Sequence, residues 1–220
     1  MANDRILVTG GHSGIGAGVV SEYGDRCVVW SRRSGVDLTD DESVQTATVA
    51  LLESGGPPHG LVHCVGDFAE QTLLDADLAH YQHMVESNLT SAFLLMHHVV
   101  PPMRDAGGGR VIFFAAGGVE SQTASTRAPV YFAVKAALVS MARSLALELA
   151  PCGITVNVIS PGIIRHDTSH RESQDRMEAR VPLGRAGTVQ DVIGLVRLLL
   201  SDEGSYITGT NLTVDGGLSL

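Results

Sequence analysis

RILVTGGHSGIGAGVV, residues 5–20, decides how the rest of the chain is read. Ile6, Leu7 and Val8 make a short apolar run that stops at glycines, and Ile15, Val19 and Val20 then recur at helical spacing. An apolar run closed by glycine reads as a buried strand, and the periodic stretch after it as a helix. A second apolar run, RCVVW at 26–30, follows at once. Strands apolar throughout, with a helix between them, open a parallel sheet that is covered on both faces.

The alternation continues to the end of the chain. Helical patterns at 40–54, 84–100, 131–150 and 188–202 separate the strands GLVHCVG (60–66), RVIFFAA (110–116), ITVNVIS (154–160) and NLTVDGG (211–217). The expected fold is α/β: a single Rossmann-type, doubly wound parallel sheet with helices on both faces, spanning residues 1–220. One long polar segment, PGIIRHDTSHRESQDRMEARVPLGRAG at 161–187, lacks a period until its end. Segments of that length in a compact domain are usually functional lids or disordered, and 163–187 is expected as a substrate lid.

Composition narrows the partners. A formal net charge of −9 with no long arginine run opposes a nucleic-acid surface. The N-terminal stretch has no basic leader and no apolar run is expected to reach membrane-spanning length, which implies a cytoplasmic location and no membrane partner. Cys27, Cys64 and Cys152 are widely spaced and outside any CxxC pairing, so neither a disulfide framework nor a zinc site is expected. His80 and His83, like the adjacent His97 and His98, lack completing ligands and read as surface or packing groups, leaving no metal site. His166 and His170 fall in the lid, within reach of a substrate.

In the opening turn, Gly10, Gly14 and Gly16 follow G-x-x-x-G-x-G, with His12, Ser13 and Ile15 between them. Glycine allows a tight turn and close backbone approach, and free N–H groups at the helix start attract a pyrophosphate. Where a NAD-binding chain carries an acid at the end of the second strand, this one reads WSRRSG. Ser31, Arg32 and Arg33 suit a 2′-phosphate, which an acid would repel. The expected cofactor is therefore NADP(H), with NAD(H) as the alternative.

Lys135 is the only lysine among 15 Lys and Arg residues, and it stands four residues after Tyr131 in YFAVK. Residues four apart share a helix face. A nearby cation typically lowers an acid's pKa by ~1–3 units, so the pair is expected to give a phenol able to exchange protons near neutrality.

Taken together, TGGHSGIG, YFAVK, the SPG after the strand ITVNVIS and the closing PLGRAG…SDEGSYITGTNLTVDGG resemble the short-chain dehydrogenase/reductase family over essentially the whole chain. The resemblance implies a nicotinamide cofactor, hydride transfer at a carbonyl or alcohol carbon, and a homodimer or homotetramer. It implies that Tyr131 is the general acid/base, that Lys135 binds the nicotinamide ribose, and that Asn88 holds a water in the proton relay. Asp37 and Leu38 match the pair beside adenine, Cys64, Val65 and Gly66 a backbone wall of the cofactor site, and Pro161, Gly162 and Ile164 the segment beside the nicotinamide.

Three departures stand out. The family's catalytic serine falls at Ala116 when registered from the strand and at Gly118 when counted from Tyr131; Ala115 beside them also lacks a hydroxyl, and Ser121 is the nearest in the following loop. HCVG replaces the usual N-N-A-G, so the family's sheet-bracing asparagine contact does not carry over to His63. The chain also runs from SRRSG straight to VDLTDDESV, omitting a helix and opening the adenine side. Within the family the dihydropteridine reductases are similar in keeping the tyrosine and lysine, lacking the serine and shortening this region, though the NADH they usually take conflicts with Arg32 and Arg33. The expected function is NADPH-dependent reduction of a small C=O or C=N substrate, with a dihydropteridine reductase-like enzyme or a weak NADP(H)-binding sensor as alternatives.

Overall fold

The computed structural model describes residues 4–121, 124–165 and 178–220. All six expected strands form: β1 (Ile6–Thr9), β2 (Cys27–Trp30), β3 (Gly60–His63), β4 (Gly109–Phe114), β5 (Ile154–Pro161) and, last in the chain, β8 (Asn211–Val214). They pair in parallel in the order β2-β1-β3-β4-β5-β8. The helices are α1 (Gly14–Tyr23), α2 (Asp41–Glu53), α3 (Leu78–Val85), α4 (Ser91–His98), α5 (Val100–Asp105), α6 (Pro129–Leu149) and α7 (Val189–Leu200).

Strand residues alternate between two cores, as the period of two requires. Leu7, Leu61, Val111 and Phe113 face one side, against Leu138, Val139, Ala142 and Ala146 of α6 and residues of α2 and α4. Val8, Val62 and Ile112 face the other, against Val19 of α1 and Val192, Ile193 and Val196 of α7. The sheet is thus wound on both faces.

The helix expected over 84–100 is interrupted. A wide π turn at Glu86–Thr90 separates α3 from α4. Its cause is local: Ser87 Oγ donates to His83 O at 2.8 Å, Asn88 Nδ2 to Met84 O at 3.0 Å and Ser91 Oγ to Ser87 O at 2.7 Å, so three side chains bond the carbonyls that the helix ladder would use.

A second correction concerns α6. Pro129–Cys152, 24 residues, is long and apolar enough by length and composition to cross a membrane. In the fold it is a core helix: Leu138, Val139, Ala142 and Ala146 are buried against the sheet.

Residues 166–177 of the expected lid, with His166 and His170, lie outside the described residues. Its ends are fastened together. β6 (Ile164–Arg165) pairs with β7 (Gly187–Thr188), Glu178 takes Arg165 and, at 2.9 Å, the Ala186 N–H, and Arg185 forks onto Asp191 at 2.8 and 2.9 Å.

Gly16 sits where α1 closes on the preceding turn; a Cβ there would lie 2.4 Å from the Gly10 carbonyl oxygen, whereas one at Gly194 of α7 meets nothing within 4 Å. Gly16→Ala is expected to destabilise by about 1–3 kcal/mol, as overpacking does. Gly194→Ala is expected to stabilise by about 0.5–1 kcal/mol through helix propensity. Urea unfolding of both variants reads the opposite signs; shifts of the same sign would contradict this packing.

Candidate active site

A cleft of about 2190 Å³ opens over the C-terminal ends of the strands. It follows the switch between β1 and β3, where the chain order reverses and open α/β sheets bind ligands. Ordinary small-molecule pockets hold ~300–1,000 Å³, so there is room for a dinucleotide with a second molecule beside it.

The turn after β1 lines one end through Gly10 and residues 12–15. A Cβ on Gly10, which sits at φ +71°, would lie 3.0 Å from Val65 Cγ2 and 3.4 Å from the Cys64 carbonyl, so the turn packs closely against the segment that follows β3. Gly16 departs from expectation: it is buried against Gly10 and packs the turn without lining the cleft. At the outer end Ser31, Arg32 and Arg33 also line the cleft. They form a tight turn in which Ser34 N donates to Ser31 Oγ at 3.2 Å and Ser31 N to Ser34 Oγ at 2.8 Å. Both guanidiniums reach solvent from it. Asp37 and Leu38 follow on the same wall. The Asp37 carboxylate accepts the Thr39 N–H at 2.9 Å and hydroxyl at 2.7 Å, which hold it below the usual carboxylate range. The omitted helix leaves β2 as the sheet's edge.

Cys64, Val65 and Gly66 leave β3 as the inner wall, opposite Pro161, Gly162 and Ile164. Tyr131 and Lys135 enter from α6, one turn apart. Lys135 is 4% exposed, and its Nζ donates to the Phe114 carbonyl at 2.9 Å. A Cβ on Gly66 would lie 2.4 Å from Asn88 Oδ1 and 2.9 Å from Lys135 Nζ, so both groups converge on that glycine. Asn88 is fully buried behind Gly66, off the cleft lining. Its Nδ2 donates to the carbonyls of Asp67 and Met84 at 3.0 Å, while Oδ1 is a buried acceptor with no partner among the described residues.

The expected lowering of the Tyr131 pKa is not what this geometry gives. Burial pushes the phenol up to about 12, and the Lys135 ammonium, 5.7 Å from the ring centroid, is turned to Phe114. Burial also brings Lys135 down to about 8 and the Cys64 thiol up to about 12. No hydroxyl occupies the end of β4: Ala115 and Ala116 are buried, and Ser121 Oγ donates to the Gly118 carbonyl at 2.9 Å from an exposed position.

Sequence reasoning missed the far wall. Phe68 stands edge-on to Tyr131 with centroids 5.0 Å apart, and Glu70 pairs with Arg127 at the cleft mouth. The signal was available, since DFAE directly follows the C-terminal end of a parallel strand, where such sheets place their sites. Three other histidines have side-chain partners: His98 Nε2 meets Asp41 at 2.7 Å, His97 stacks on Phe93, and His83, which lines the cleft, pairs with Asp67 at 3.0 Å.

His63 is a brace. Ser91 Oγ already donates to Ser87 O, so His63 Nε2–H donates to Ser91 Oγ at 3.2 Å and Nδ1 accepts from Thr9 Oγ1 at 2.7 Å. One directed chain thus joins β1, β3 and α4. Burial, with a smaller push from Lys135, lowers the His63 pKa to about 3. The folded value lies below the ordinary ~6.5, so this stabilisation is complete above pH ~6.5 and lost as pH falls toward 3. His63→Gln is expected to flatten the decline in stability between pH 6.5 and 4, read by urea unfolding at each pH; an unchanged slope would contradict the neutral brace.

Comparison with known proteins agrees with this geometry. A family model described as Enoyl-(Acyl carrier protein) reductase matches residues 17–219. The 3-oxoacyl-[acyl-carrier-protein] reductase MabA of Mycobacterium tuberculosis is 33% identical, over 98% of this chain and 92% of its own. L-rhamnose 1-dehydrogenase (NAD(P)(+)) of Azotobacter vinelandii is 33% identical over 84% of this chain and 73% of its own. Among solved structures, a short-chain type dehydrogenase/reductase from Mycobacterium ulcerans superposes with a TM-score of 0.86 at 28% identity, covering 98% of this chain and 90% of that one. The chain belongs to the short-chain dehydrogenase/reductase family of NAD(P)-dependent oxidoreductases.

Proposed function

We propose that the chain is a reductase of a small carbonyl or related C=N substrate that uses NADPH, with Tyr131 as its general acid. The observation that carries this reading is the convergence of Lys135 Nζ and the unpartnered Asn88 Oδ1 on Gly66, one helical turn from Tyr131. A buried acceptor left without a partner implies a ligand or water there.

The residues fit an NADP(H) molecule. Gly10 and the segment Cys64–Gly66 line the cleft, and Asn88 Oδ1 is a buried acceptor without a partner among the described residues. Arg32 and Arg33 would hold the 2′-phosphate, the first turn of α1 the pyrophosphate, and Lys135 the nicotinamide ribose. When bound, that cofactor supplies the hydride. Tyr131 delivers the proton at its Oη: a phenol with a pKa near 12 is still more acidic than the alcohol product, so transfer to an alkoxide runs downhill. Lys135 would then return a proton through a water that Asn88 Oδ1 holds as hydrogen-bond acceptor. The Asp37 carboxylate is engaged by Thr39, which leaves the arginines to set cofactor choice.

Two alternatives draw on the missing hydroxyl at Ala115 and Ala116. One is a dihydropteridine reductase-like reaction, which makes no alkoxide; the other is a weakly catalytic NADP(H)-binding sensor. MabA and the rhamnose enzyme act on unlike substrates, so neither name transfers by similarity alone. Assembly as a homodimer or homotetramer through α4 and α6 is suggested by Phe93 and Leu147, 48% and 81% exposed.

Tyr131→Phe is expected to cut kcat by ~10²–10⁴ with NADPH affinity unchanged, as loss of a general acid does. NADPH consumption across carbonyl, pterin and imine panels checks this; binding without turnover by either protein would favour the sensor. Replacing Arg32 and Arg33 with Ser is expected to weaken NADPH binding ~10²–10⁴-fold and leave NADH unaffected, given ~1.5–3 kcal/mol for each of two charged hydrogen bonds. Equal losses for both cofactors in a fluorescence titration would contradict the phosphate clamp.

A further inference from the structure

The end of β4 lacks the family's hydroxyl, yet its backbone presents donors. Ala115 N donates to Ile159 O at 2.9 Å and Gly117 N to Pro161 O at 2.8 Å, so both point toward β5. Successive N–H groups of an extended strand point to opposite edges, which turns the Ala116 N–H toward β3. There it meets no strand. His63, paired with Phe113, is the last residue of β3, and the chain then leaves as Cys64–Gly66. Lys135 Nζ takes the Phe114 carbonyl, which lies on this same edge two residues earlier.

Beyond Gly117 the chain turns at Gly118, φ +85°, a left-handed conformation that favours glycine. Among the described residues neither the Ala116 nor the Gly118 N–H has an acceptor. Both residues line the cleft that Tyr131 lines, and Ala116 is only 8% exposed. An unpaired buried donor costs roughly 1–3 kcal/mol, so such groups persist mainly where a ligand meets them.

We infer that the Ala116 and Gly118 N–H groups form a backbone oxyanion site that replaces the missing hydroxyl. This rests on the proposed reduction at Tyr131. The carbonyl carbon gains a hydride from the reduced nicotinamide as the C=O π bond breaks. The electron pair moves to oxygen, where the two N–H groups hold it. Tyr131 Oη then supplies the proton, leaving an alcohol and the oxidised nucleotide. Fixed backbone donors suit this role because they need no reorganisation as charge develops.

The test uses protein labelled with 15N-alanine and 15N-glycine, NADP+ and 2,2,2-trifluoroethanol as an alcohol product analogue. The fluorine line reports whether the alcohol binds. The expected result is a broadened line with downfield movement of the Ala116 and Gly118 amide protons, while Ala115 and Gly117, already bonded to β5, stay in place. A broadened line with all four amides unmoved overturns this inference and leaves the proposed reductase standing. A sharp, unshifted line counts against both. Replacing Ala116 with lactic acid, its ester counterpart, deletes one N–H alone. It is expected to lower kcat for ethyl acetoacetate ~10²-fold without changing the NADPH dissociation constant, the size typical of one lost oxyanion donor; an unchanged kcat overturns the inference.

Discussion

One buried ammonium ties the molecule together. Lys135 Nζ donates to the carbonyl that ends β4, and this 2.9 Å bond locks the register of α6 against the sheet. Tyr131, one turn earlier, is thereby aimed into the cleft, and the Gly66 backbone is drawn close under Nζ and Asn88 Oδ1. The site tolerates no Cβ at position 66. A guanidinium, planar and forked, would not fit this gap as a compact ammonium does, which gives a physical reason for the chain's only lysine among 15 basic residues.

The same burial governs the chemistry. Taking Tyr131 and Lys135 out of water disfavours the charged form of each, raising one pKa and lowering the other. The resting pair is therefore a neutral phenol beside a group poised near neutrality. The cleft carries charges of both signs, with Asp37, Asp67, Glu70 and Glu86 beside its cations. Arg32 and Arg33 line the cleft after β2, and Arg127, which lines it near Tyr131, is held by Glu70. The nucleotide end follows from backbone geometry, while the substrate wall is made by loops such as the one carrying Phe68.

Much of this was legible in the residues. The six strands followed from apolar runs closed by glycine, because burial on both faces removes polar alternation. The glycine turn after β1 and the arginine pair after β2, which line the cleft, are readable locally, since local sequence determines local backbone. Other features needed the third dimension. The break at Glu86–Thr90 arises from Ser87, Asn88 and Ser91 bonding carbonyls four residues back, a competition that apolar periodicity does not reveal. His63 takes its role from Thr9 and Ser91, far away in sequence. The phenol's raised pKa reflects burial, which the Y-x-x-x-K pattern alone does not encode.

The sole lysine makes the central claim directly measurable. Protein grown on lysine labelled with 13C at the ε carbon gives a single side-chain lysine signal, and its pH titration reads the state of that one ammonium. The account predicts a titration near pH 8, set by burial. A titration near the ordinary value of ~10.4 would show the group in water, away from Phe114, and would contradict the arrangement on which the site depends.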